Sequence, residues 1–122
     1  MGTFSIPCEV INVRRPEKVA AVPKILVDSS SEFTWIAEDV LKRLGIRVEK
    51  KDIPFVMANG QTVTRATGYA ILRAGGFETV DEVVFAQKKD LSLLGARTLE
   101  GFGALVDSRH KRLVASGPFP AA

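Results

Sequence analysis

Residues 24–36 read KILVDSSSEFTWI, an unusual combination of residue types. Ile25, Leu26 and Val27 form an apolar run of the kind that lies inside a sheet, and it ends on Asp28. A carboxylate rarely enters an apolar interior without compensation. Ser29, Ser30 and Ser31 follow, small hydroxyl residues that suit a tight turn. An acid carried to the end of a buried strand is placed for general acid or base chemistry. Plain turn formation by Asp28 is the other reading of the same residues. The serines also raise nucleophilic chemistry, which needs a positioned base. The one histidine, His110, lies 80 residues beyond Ser30 in a charged turn, and no Gly-x-Ser-x-Gly elbow surrounds the serines. The acid is the better candidate.

An acid in that position needs a fold to hold it. The chain has 122 residues, no internal repeat and no Gly/Pro/Ser linker, so a single domain over residues 1–122 is expected. Hydrophobic residues make up 46% of it, a globular composition and not a disordered one. No apolar run approaches the ~18 residues that cross a bilayer. The opening MGTFSIPCEV lacks the basic-then-apolar pattern of a leader. With Cys8 as the only cysteine, the expectation is a cytoplasmic protein with a buried, inert thiol and no membrane partner. The net charge of +3 comes mostly from scattered basic pairs such as Arg14-Arg15 and Lys88-Lys89. No aromatic platforms accompany them, so no nucleic-acid partner is expected.

The pattern reads as mostly β. Phe4 to Val13 and Val19 to Val27 form a first hairpin, with Pro7 and Pro23 marking edges or bulges. Ala37 to Leu44 reads as a short helix, acidic at its start, basic at its end and closed by Gly45. Ile53 to Ala58 and Gln61 to Arg73 flank Asn59-Gly60, a strong two-residue hairpin signal, with Val63, Tyr69 and Ile71 on one face. Phe77 to Ala86 follows the Gly75-Gly76 turn. Beyond it come the apolar run to Leu94, one or two helical turns over 96–102, a last hairpin over 104–115 and a loose tail. The predicted class is all-β, a small closed β-barrel with one short helix.

These pieces, in order, resemble the retropepsin-like aspartic proteases. The acid loop Asp28-Ser29-Ser30-Ser31, the hairpin Ala58-Asn59-Gly60 and the run Leu93-Leu94-Gly95 correspond to that family's acid motif, flap and loop-supporting segment. The likeness is greatest to small prokaryotic single-domain members. The resemblance implies peptide-bond hydrolysis without metal or cofactor. It implies two carboxylates sharing one proton, one activating water and the other protonating the leaving amide. One chain supplies one such acid, so the resemblance implies a homodimer, with Asp28 from each copy meeting across a two-fold axis. Ser29 would brace the two loops, and a peptide or protein substrate would lie extended beneath the flaps.

The sequence departs from the family at Ser30, where the motif has glycine. A side chain there is expected to strain the backbone by about 1–3 kcal/mol or to crowd the catalytic water. An enzyme impaired by Ser30 and a catalytically inactive peptide-binding or scaffold domain are therefore both open. Trp35 reads as a core or interface anchor, and Asp107 as a turn residue.

Overall fold

The computed structural model describes residues 3–121. Nine strands and two helices follow one another as β1 (Phe4–Ile11), β2 (Val19–Val27), β3 (Thr34–Ala37), α1 (Glu38–Arg43), β4 (Lys50–Val56), β5 (Thr62–Ala74), β6 (Phe77–Ala86), β7 (Leu93–Leu94), α2 (Ala96–Phe102), β8 (Ala104–Asp107) and β9 (Arg112–Ala115). The mostly-β expectation is met; the class named one helix, and the one or two helical turns read over 96–102 make a second, α2. Its Thr98, Leu99 and Phe102 are buried, an i, i+1, i+4 spacing that puts them on one helical face.

Seven strands form one sheet in the order β1-β2-β7-β3-β6-β5-β4, and β1 also pairs with β5. The hydrogen-bond ladder thus returns on itself, leaving β4 as the outlying strand. β8 and β9 make a separate two-stranded ribbon. Most pairings are antiparallel, but β2–β7 and β3–β6 are parallel. The β1–β2 register shifts between Ile6 and Cys8, so Pro7 sits at a bulge, where its missing N–H costs the ladder nothing.

The core gathers Val10, Ile25, Ile36, Leu41, Leu72, Val83 and Leu94, all essentially inaccessible. Cys8 belongs to it, and burial pushes its thiol up to about 11, which keeps it unreactive near neutral pH. The long strand β5 does not keep one inward parity. Tyr69 is exposed, while Ala70, Leu72 and Ala74 are buried. The inward parity changes near Thr67 and Gly68, where β5 passes from pairing with β4 to pairing with β6 and β1. One strand therefore serves two environments, which a single alternation cannot encode.

Strand β3 went unread because TWIA is short and lacks polar alternation, as suits a strand bonded on both sides. α1 carries Glu38 and Asp39 in its first turn and Lys42 and Arg43 in its last, and Gly45 follows it at φ 74°. That left-handed conformation is open to glycine at little cost. The tail has no regular element, yet Ser116 donates to Gly103 O (2.8 Å) and the Phe119 ring lies against Gly103. No helix among the described residues is long and apolar enough to cross a membrane.

Candidate active site

The acid loop is built from backbone bonds before any side chain contributes. β2 and β7 pair in parallel, Leu26 opposite Leu93 and Val27 opposite Leu94. The ladder continues one step past β2, with Asp28 N–H donating to Leu94 O (3.0 Å). The chain then turns, and Ser31 N–H donates back to Asp28 O (3.2 Å). Two N–H groups at the start of α2 find acceptors in the same loop: Ala96 donates to Ser31 O (2.7 Å) and Arg97 to Glu32 O (3.0 Å). No side chain caps α2, so these loop carbonyls satisfy donors that a helix start leaves unpaired.

A chain of hydroxyls runs beneath. Gly95 N–H donates to Thr34 Oγ1 (2.9 Å), Thr34 Oγ1 lies 2.6 Å from Thr98 Oγ1, and Thr98 Oγ1 donates to Asp81 Oδ2 (2.7 Å). Each threonine has one hydroxyl proton, so Thr34 donates to Thr98 and every link runs the same way. Both threonines are fully buried, and no buried side-chain nitrogen or oxygen among the described residues lacks a partner. Such a buried, satisfied network fixes the loop's position more firmly than apolar contact alone. Nothing in the sequence singled it out, because threonine in a strand or short helix is commonplace.

At the loop itself, Asp28 is half-buried and Ser29 and Ser30 are exposed. Ser30 does not adopt positive φ, so the expected backbone strain is absent. Instead its N–H donates to Asp28 Oδ1 at 3.0 Å, forming a side-chain turn, and its hydroxyl reaches the same oxygen at 2.5 Å. The serine acts on the carboxylate by chemistry, not by distorting the chain.

Asp28, Ser30 and Ser31 line one side of a groove of about 450 Å³. Val56, Met57 and Ala58 of the β4–β5 hairpin face them, Trp35 and Leu93 contribute apolar surface, and Lys89, Asp90 and Leu91 complete the wall. The hairpin is wider than the two-residue turn expected at Asn59-Gly60. Met57 N–H donates to Gln61 O (2.8 Å), Gly60 N–H to Met57 O (2.9 Å), and only Gly60 has positive φ. Asn59 Oδ1 accepts from Gln61 N–H (2.9 Å). Of the hairpin residues singled out from sequence, Ala58 lines the groove, whereas Asn59 and Gly60 form the exposed tip. Leu93 lines it too, while Leu94 and Gly95 sit behind the acid loop. Trp35 is 6% exposed, with its ring edge to face against Phe55 at 5.1 Å, and it serves as both anchor and groove surface.

The part of the groove wall formed by residues 89–91 is pinned by an ion pair. Arg65 Nε and Nη2 bind Asp90 Oδ2 and Oδ1 at 2.7 and 2.9 Å, with both side chains largely buried. The guanidinium holds the Asp90 carboxyl below its usual range, mainly through these hydrogen bonds. A depressed folded pKa means stability present above the unfolded value near 3.8 and lost as pH falls through the folded one. Arg65→Met is therefore expected to cost about 2–3 kcal/mol in urea unfolding at pH 6. The gap should narrow below pH ~3 as the carboxyl protonates. An equal gap at both pH values would show that the charge pair is not the cause.

The structure thus brings together an apolar strand ending in an acid, a supporting strand paired with it in parallel and a hairpin that lines the same groove. The sequence model of the gag-polyprotein putative aspartyl protease family matches residues 21–101, and the chain belongs to that family. The match runs from within β2 through most of α2, so it contains the acid loop, the hairpin and the supporting strand. No curated protein matches the sequence.

Proposed function

We propose that the chain is a homodimeric aspartic endopeptidase in which Asp28 of each copy shares one proton with its twin. The observation that carries this reading is the placement of Asp28 at the mouth of a peptide-sized groove, its own N–H fixed by Leu94 O. Like charges a few ångströms apart cannot both ionise, so one carboxyl acts as base on water and the other as acid on the amide. Exposed Ser29 is free to brace a second loop, and the Met57–Gly60 hairpin is the flap. The ladder returning from β5 to β1 supports a closed barrel as the frame.

The test is cleavage of unstructured peptides between about pH 3 and 7, read with and without pepstatin, alongside mass by sedimentation. A dimer with pepstatin-sensitive cleavage is expected. A stable monomer overturns the reading.

A second reading is favoured by one contact. The Ser30 hydroxyl occupies Asp28 Oδ1, an oxygen that a shared proton or attacking water would use, and this supports a protease-fold peptide binder without turnover. Ser30→Gly separates the two. Removing a hydrogen bond worth about 1.4 kcal/mol to a charged group should raise kcat/KM about tenfold if the enzyme is merely impaired. No cleavage by either protein, with dimer and peptide binding intact, leaves the binding domain as the function.

A further inference from the structure

The groove carries a charge that the proposed hydrolysis does not use. Lys89 lines it, is exposed, and has no ion-pair partner among the described residues. Its neighbour Asp90 does not neutralise it, because both Asp90 oxygens are taken by Arg65. The turn beneath Lys89 is closed at both ends: Asp90 N–H donates to Gln87 O (2.9 Å) and Gln87 N–H to Asp90 Oδ2 (2.8 Å). The lysine's backbone is therefore held in place before any ligand arrives, which lowers the ordering cost of using it. Around it the groove is apolar. Trp35 and Leu93 form its inner surface, while Val56 and Leu91 stand on the rim at 76% and 68% exposure, unusually bare for their size.

We infer that Lys89 is a specificity residue, selecting extended peptides that carry an acidic side chain beside the bulky apolar one that fills the groove. This rests on the groove being a peptide site, as proposed above. The apolar surface supplies the binding free energy, and the unpaired ammonium decides which neighbouring side chain is accepted. Asp28 works in the same direction by repelling a carboxylate placed on its own side, which fixes the polarity with which such a peptide lies.

The test uses labelled peptides that differ only in bearing Glu, Gln or Lys at one position, stepped along either side of a central Phe. Affinity for the full chain is measured at low and high salt, with turnover followed in the same samples. Wild type should bind the best-placed Glu peptide about threefold tighter than Gln and about fivefold tighter than Lys, the range of a solvent-exposed ion pair. High salt should erase the order, and Lys89→Glu should reverse it. Affinities blind to charge, an order unchanged in Lys89→Glu, or no peptide binding at all would overturn the inference. A charge order that reverses as expected while no peptide is cut would uphold Lys89 and remove the hydrolytic reading instead.

Discussion

Asp28→Asn is expected to lower peptide turnover about a thousandfold or more while leaving the protein folded. The loss is large because in the proposed dimer the variant has no carboxyl at position 28 of either copy, so both proton transfers fail together. The fold should survive because the substitution keeps the shape of the side chain. Asparagine Oδ1 still accepts from the Ser30 N–H and hydroxyl, as Asp28 Oδ1 does at 3.0 and 2.5 Å. The bond from residue 28 N–H to Leu94 O is untouched. Turnover and thermal unfolding measured on one preparation check both halves. A variant that retains a tenth of the parental rate would place the chemistry elsewhere.

Gly95→Ala is expected to do the reverse, destroying the site by way of the fold. A methyl group at this position would stand 2.3 Å from Phe33 O and 2.9 Å from Ser31 O. Those contacts are to backbone, which cannot swing aside as a side chain could. Gly95 itself has an extended conformation, φ −96°, so the obstacle is space and not dihedral preference. Relief requires β3 or the acid loop to move away, breaking the bonds from Ala96 to Ser31 and from Gly95 to Thr34. The cost is about 3 kcal/mol or more, lowering Tm by roughly 10 °C. An alanine variant that unfolds within a few degrees of wild type would show that the loop has slack.

These two residues illustrate what the sequence made legible. Asp28 stood out because an acid at the end of Ile25-Leu26-Val27 contradicts the run that precedes it. Gly95 was visible only through its order in the chain relative to that acid. Strands β2 and β6 and helix α2 lie where alternation, turns and helical spacing placed them. Which side of β5 faces inward was not legible, because its inward parity changes midway, a property of three neighbouring strands and not of its own residues. Ser30 was read as a source of strain because glycine positions commonly need positive φ, whereas its backbone takes an ordinary conformation and its hydroxyl does the work. The groove wall was not legible at all. Lys89, Asp90 and Leu91 acquire meaning only once Arg65, remote in sequence, pins Asp90.

The parallel pairing of Leu26 with Leu93 and Val27 with Leu94 also governs when the site can exist. During synthesis Asp28 leaves the ribosome long before its supporting strand has been made, and Thr98 emerges later still. A nascent chain therefore carries an acid with nothing behind it. Pairings between such distant segments close slowly, so the loop is among the last parts to set. Assembly of the site is thereby timed by topology: the carboxylate of Asp28 gains its supporting strand only after Leu93 and Leu94 have been made.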